Sequence, residues 1–172
     1  FSTWLHIVSL KYIYKYILFR VLIPKVDINL LTKMEDYMKY EIKYSIENSI
    51  GGAYDEHHHE IAQIAPSDDS LQIEFRSSNY LIDAIKDEHG AYEFKVGNDK
   101  RIRISLDGED IIIESGDKKV DCKYPDFSYQ LDNGDFSYHF ADDENLELVT
   151  ESEEIVEPIA LGLALIAFVH QN

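Results

Sequence analysis

The chain has little cysteine and few basic residues, and each shortage excludes a class of function. One of its 172 residues is cysteine, Cys122, which excludes an internal disulfide and a zinc site built from several thiolates. Lysine and arginine number 16 against 33 acidic residues, so the net charge is −17. Because a phosphate backbone is bound by clustered basic side chains, nucleic acid is not expected as a partner. The cysteine content fits a reducing, cytoplasmic setting.

Residues 1–33 differ in charge from the rest of the chain. They hold five basic residues and one acid, a net charge of +4, whereas residues 34–172 carry a net −21. The segment is apolar and aromatic, but Lys11, Lys15 and Arg20 interrupt it as a membrane span. Since the first methionines come directly after it, we interpret it as an extension upstream of the true start. The alternative is an amphipathic helix that anchors the protein at a membrane.

Residues 34–172 alternate between apolar and polar positions, which predicts about ten β-strands. "KYEIKYSIEN" is one such run, and Asp107-Gly108 and Asn133-Gly134 mark two of the hairpin turns. Turn signals recur about every 8–12 residues, as in β-sandwiches and barrels. No long stretch before residue 150 has the helical period, so the fold class is mainly β.

The chain has one long apolar run, "IALGLALIAFV", at 159–169. As a helix it is about 16 Å long, roughly half of what a bilayer core requires. A helix that is apolar on all sides is buried on all sides. We therefore predict a central helix at about 153–170, with a capping box from Thr150 to Glu153 or an N-cap at Ser152. Its core positions are Ile159, Leu161, Leu163, Leu165, Ile166 and Phe168.

The predicted strands and the predicted helix fit together in one fold. A closed sheet of ten or more strands has an interior too wide to be filled by its own side chains. A helix along the axis would fill it. The predicted fold is a closed antiparallel barrel of about 10–12 strands that encloses the hydrophobic C-terminal helix.

This combination resembles the tubby C-terminal-like superfamily, which includes LURP-one-related proteins, phospholipid scramblases and small bacterial homologues. The resemblance covers roughly Tyr37–Asn172 and rests on the strands, the Asp55–Ile64 hairpin, "LIDAIKDEHGAYEFKV" and the apolar helix. It implies a twelve-stranded barrel around a central helix and no shared enzyme activity. Tubby-like domains bind phosphoinositides through basic residues. The largest basic cluster here is Lys100–Arg103, so that activity is not carried over to any residue.

The polar cluster "YDEHHHEI" contains the candidate metal ligands His57, His59 and Glu60, because imidazole and carboxylate suit zinc or nickel. The spacing is not that of a helical H-E-x-x-H site, and a polar hairpin loop is the simpler interpretation. The acids at 68–69 and 142–144 lack the spacing of a calcium loop and are interpreted as solvated.

Two further patterns favour structural roles. Cys122 and His139 could form a nucleophile and base, but no motif supports this, so a buried thiol is expected. "IGGAY" at Ile50–Tyr54 lacks the lysine of a phosphate loop and predicts a β-bulge or strand bend.

The expected function is binding without catalysis and without a cofactor, by a monomer that presents an acidic surface to a basic protein partner. An immunity or inhibitor protein would behave in this way. Two alternatives stay open. One is a lipid-binding protein anchored to a membrane by residues 1–33. The other is a metal-dependent enzyme at His57–Glu60.

Overall fold

The computed structural model describes residues 37–171 apart from residues 68, 79, 124, 125, 132 and 133. The predicted extension at 1–33 lies outside this part of the chain. The described residues form twelve strands followed by one helix. The strands are β1 (Met38–Ser45), β2 (Ile50–Tyr54), β3 (Glu60–Pro66), β4 (Ser70–Phe75), β5 (Tyr80–Lys86), β6 (Tyr92–Val96), β7 (Lys100–Asp107), β8 (Asp110–Ser115), β9 (Lys118–Cys122), β10 (Asp126–Leu131), β11 (Gly134–Asp142) and β12 (Asn145–Thr150), and the helix is α1 (Val156–Gln171).

All twelve strands belong to one antiparallel sheet in the order β10-β11-β12-β1-β2-β3-β4-β5-β6-β7-β8-β9. The pairing of β1 with β12, with Tyr40 opposite Leu148, joins the two ends of the strand run. The edge strands β9 and β10 form no backbone ladder with each other among the described residues, so the sheet is open there. The mainly β prediction is confirmed, whereas the closed barrel is not. Alternation and turn signals identify strands and hairpin neighbours, but they do not determine whether the two edges pair.

Two of the twelve strands were not predicted as strands. β2 contains Gly51 and Gly52, which weaken strand propensity, and its ladder with β3 shifts register between Ala53 and Tyr54. Because Ala53 lies opposite Ala62 and Tyr54 opposite Glu60, the extra residue is Ile61 of β3, so the bulge lies on the strand opposite the segment in which a bulge or strand bend was predicted. β9 carries Lys118 and Lys119 and lies at a sheet edge, where apolar alternation is weak.

The helix α1 is buried along most of its length. It packs against β12, β1, β2, β3, β4, β6 and β7, and every residue from Pro158 to Phe168 is buried. The six predicted core positions are each at most 1% exposed. The apolar run at 159–169 is therefore largely buried against one face of the sheet. No helix in the described ranges is long and apolar enough to cross a membrane.

The start of α1 corrects the predicted cap. Pro158 is the third helical residue, within the first turn where proline is tolerated. Thr150 ends β12, and its Oγ1 accepts the N–H of Ser152 at 3.0 Å. The Ser152 Oγ in turn accepts the N–H of Glu154 at 3.1 Å. Both hydroxyls therefore shape the connection before the helix, and neither caps it.

Because consecutive strands are neighbours, their connections alternate between the two ends of the sheet. We call the end at which α1 terminates the upper end. Its connections have the described residues 46–49, 67, 69, 87–91, 108–109, 123 and 143–144. The connections at the opposite, lower end have the described residues 55–59, 76–78, 97–99, 116–117 and 151–155.

Candidate functional site

The predicted metal ligands lie at the lower end, in the connection between β2 and β3. The Asp55 carboxylate accepts the backbone N–H groups of His57 at 2.9 Å and His59 at 2.8 Å. It also lies 3.2 Å from Nδ1 of His59. The His59 N–H and the other hydrogen bonds lower the pKa of Asp55. This carboxylate therefore organises the loop.

The third predicted ligand, Glu60, is already engaged, because its Oε2 lies 2.6 Å from Nε of Arg76. His58 has φ 60°, so the loop turns sharply between the other two histidines. The described residues contain no group of three side chains placed to hold a metal ion. Metal binding by His57, His59 and Glu60 stays a prediction.

Zinc titration tests that prediction. We expect the His57→Ala/His59→Ala variant to bind Zn²⁺ with the same affinity as the wild type, since Glu60 is held by Arg76. Isothermal titration of both proteins at neutral pH measures this. A variant that binds at least about tenfold more weakly would support a metal site at these histidines.

The acids at 142–144 form a turn. The Asp142 carboxylate accepts the side-chain N–H of Asn145 at 2.7 Å and the backbone N–H of Glu144 at 2.9 Å. These two interactions lower the pKa of Asp142, with the Asn145 side chain the larger influence. Asp142 is therefore a turn-capping residue that joins β11 to β12.

Cys122 and His139 lie on opposite faces of the sheet. Cys122 points into the core, and burial raises the pKa of its thiol to about 11. His139 is exposed on β11, between the inward-facing residues Tyr138 and Phe140. A thiol with this pKa is protonated at neutral pH, and it has no access to the imidazole. The arrangement therefore does not provide a nucleophile and base.

The upper end is rich in acids. Its described connections carry seven acidic residues and one basic residue, Lys123, whose ammonium lies 3.9 Å from the Asp110 carboxylate. The acids are Glu47, Asp69, Asp87, Glu88, Glu109, Asp143 and Glu144. Helix α1 also terminates at this end of the sheet, and the carbonyl groups of its last turn form the negative end of the helix dipole. The electrostatic potential at this end therefore favours positively charged groups.

A polar cavity of about 310 Å³ opens at the upper end, beside the last residue of α1. It is lined by Ser49, Ser67, Asp69, Ser70, Leu71, Lys86, Asp87, Tyr92 and Gln171. The cavity could not be predicted from the sequence because its lining comes from four separate places in the chain. The serines beside predicted turns were the available signal, but nothing in the sequence pairs one turn with another.

Two of the lining residues, Tyr92 and Gln171, belong to a set of polar contacts at the end of α1. The Tyr92 hydroxyl donates to Oε1 of Gln171, and the Gln171 amide donates to the Tyr44 hydroxyl at 3.4 Å. Burial and, to a smaller extent, Tyr44 raise the pKa of Tyr92 to about 12. His170 stacks on Tyr44 with ring centroids 5.8 Å apart, and its buried Nε2 has no hydrogen-bond partner within the described chain. These contacts fix the helix end against β1 and β6.

Asp87 joins the cavity wall to the outer face of the sheet. Its carboxylate accepts the N–H groups of His89 and Ala91, each at 2.9 Å, and pairs with Arg103 at 2.7 Å. Desolvation raises the pKa of Asp87, but these hydrogen bonds and the guanidinium outweigh it, so the pKa is lowered. The Asp87 carboxylate is therefore engaged in contacts that stabilise the fold.

The lowered pKa of Asp87 predicts a pH dependence of stability. A carboxylate with a depressed folded pKa contributes stability above its unfolded value, here 3.8, and loses it as pH falls through the folded value. We expect Asp87→Asn to be less stable than the wild type near neutral pH, with the difference shrinking as pH falls through the lowered folded pKa of Asp87. Urea unfolding from about pH 6 to about pH 2.5 measures it, with Asp83→Asn on the exposed face of β5 as control. A difference that is constant across this range would contradict the prediction.

A second depression, of about 490 Å³, lies where β1 to β3 meet the β11–β12 turn. Gly51 and Gly52 contribute no side chains there, and the Tyr54 ring folds over Gly52. The Lys43 ammonium lies 5.8 Å from the centroid of that ring.

Comparison with known proteins does not assign a family. No family model, no curated protein and no solved structure matches the chain. The resemblance to the tubby C-terminal-like superfamily therefore stays a prediction.

Proposed function

We propose that this protein is a cytoplasmic binding module without catalytic activity. In this proposal the sheet closes around α1 as a tubby-like barrel, and the upper end engages a basic protein partner. The helix serves as the core of the scaffold and does not contact the partner.

The charge distribution carries the proposal. Residues 37–172 contain 30 acidic and 11 basic residues, a net charge of −19. At least seven of the basic residues form ion pairs within the domain, namely Lys43, Arg76, Lys95, Lys100, Arg101, Arg103 and Lys123. Most of the basic side chains are therefore paired with acids of the same domain. Many carboxylates remain that can face solvent or bind a partner.

The upper end is the best candidate for the contact surface. The described connections at each end carry seven acids and one basic residue, Lys123 at the upper end and Arg76 at the lower end, so the two ends differ in the helix dipole, whose negative end lies at the upper end. Such a surface accelerates encounter with a basic partner and discriminates against acidic ones. The lower end faces the positive end of the helix dipole, which lowers its attraction for a basic partner.

Two charge variants and a salt series test the proposal. The upper-end variant carries Glu47→Gln, Glu88→Gln and Glu109→Gln, and the control carries Glu151→Gln, Glu153→Gln and Glu154→Gln at the lower end. All six glutamates are exposed. Tagged proteins are purified from their native cells, and co-purifying proteins are compared at about 0.1 M and about 1 M NaCl.

We expect a basic protein to co-purify with the wild type and the lower-end variant at low salt only. The upper-end variant should lose it. A partner retained at about 1 M salt, or retained equally by the upper-end variant, would contradict the proposal.

A further inference from the structure

The cavity at the upper end contains two opposite charges that do not pair with each other. Lys86 and Asp69 both line it, yet neither side chain forms an ion pair with any described residue. We propose that the cavity binds a small zwitterion, a molecule carrying both a carboxylate and an ammonium group. This site does not depend on the protein partner proposed above.

Lys86 provides the anion-binding half. Its side chain is half-buried, with the ammonium 5.8 Å from the centroid of the Tyr92 ring. Ser49, Ser67 and Ser70 also line the cavity, and their hydroxyls are donors suited to a carboxylate. A partly desolvated ammonium without a counter-ion gains a charge-assisted hydrogen bond when a carboxylate enters.

Asp69 provides the cation-binding half. Its backbone carbonyl accepts the N–H of Lys86 at 3.0 Å, so the two residues are joined through the backbone while their charged groups stay apart. The other lining carboxylate, Asp87, is occupied by Arg103 and by its own turn. The C-terminus of α1 adds negative potential that favours an ammonium group.

A ligand with a single charge can form an ion pair with only one of the two charged residues, Lys86 or Asp69. An anion alone would meet Lys86 but would approach Asp69 and the helix C-terminus unfavourably. A cation alone would meet Asp69 but would be repelled by Lys86. A zwitterion pairs with both groups, and its net charge of zero avoids the repulsion of the acidic surface.

The test uses the ω-amino acids from glycine to 6-aminohexanoate, which differ in the separation of their two charges. Each is titrated to about 10 mM into the ¹⁵N-labelled full chain, with acetate and butylammonium as single-charge controls. The readout is the amide shifts of Ser70, Lys86 and Gln171. We expect one chain length to bind best, and both controls to bind at least about tenfold more weakly.

Two variants test which residue binds the carboxylate of the ligand and which residue binds its ammonium group. Lys86→Met and Asp69→Asn should each weaken binding of the best ω-amino acid by about tenfold or more. The matched controls Lys39→Met and Asp83→Asn replace exposed residues away from the cavity and should leave the affinity unchanged. Thermal unfolding verifies that all four variants are folded.

Three results would overturn the proposal. They are the absence of shifts at these amides with every ω-amino acid, equal binding of acetate or butylammonium, and unchanged affinity in either cavity variant. Failure to find a basic protein partner would not change these binding results, so the two proposals can fail independently of each other.

Discussion

Replacing Leu163 with aspartate is expected to prevent folding. Leu163 is fully buried at the middle of α1, which the sheet surrounds. Loss of a buried leucine costs about 2–5 kcal/mol. A buried carboxylate without a partner costs several kcal/mol more, or is protonated at a similar cost. Domains have a total stability of about 5–15 kcal/mol, so this one substitution removes most or all of it.

Far-UV circular dichroism and solubility measure the effect, with Ile85→Asp as the matched control. Ile85 is 59% exposed on β5, so the same charge there should cost no more than about 1 kcal/mol. If Leu163→Asp is soluble and keeps the β spectrum of the wild type, α1 is not in the core.

Replacing Gly162 with alanine is expected to destabilise the protein, although alanine favours helices. A Cβ at position 162 would collide with Cδ1 of Ile42 and would lie 2.8 Å from Cε1 of Tyr138. The Tyr138 ring is held in place because its hydroxyl donates to the carbonyl of Pro158 at 2.7 Å. Overpacking of this kind costs about 1–3 kcal/mol, which exceeds the gain of about 1 kcal/mol in helix propensity.

A double-mutant cycle identifies the cause. Ile42→Val removes the colliding methyl group and alone costs about 0.5–1.5 kcal/mol. We expect the Gly162→Ala/Ile42→Val double variant to lose at least about 1 kcal/mol less unfolding free energy than the two single variants lose in sum. Ile82→Val, a buried substitution on β5, should be additive with Gly162→Ala. Urea unfolding gives all the values, and additivity with Ile42→Val would contradict the described contact of α1 with β1.

The strands and the buried helix were predictable because their signals are local. Alternation in β1 and the Asp107-Gly108 turn each specify one element without reference to another. The eleven apolar residues at 159–169 similarly predicted a buried helix. β2 and β9 were missed because glycines in one and lysines in the other conceal the alternation.

The candidate site was not predictable, because it depends on which turns meet. Ser49, Asp69, Lys86 and Gln171 come together only through the strand order and the direction of α1. The sequence reading treated Asp69 as a solvated acid and selected the histidines at 57–59. In the structure those histidines lie in a loop organised by Asp55 at the other end of the sheet.

Native-state hydrogen exchange of the full chain, followed by mass spectrometry, tests the central claim that α1 is the core of the domain. If the sheet surrounds α1, the amides from Ile159 to Phe168 exchange only when the whole domain unfolds, at the rate of the slowest strand amides. If these helix amides exchange much faster while the strands stay protected, the helix is not enclosed, and both the scaffold and the site built at its C-terminus are wrong.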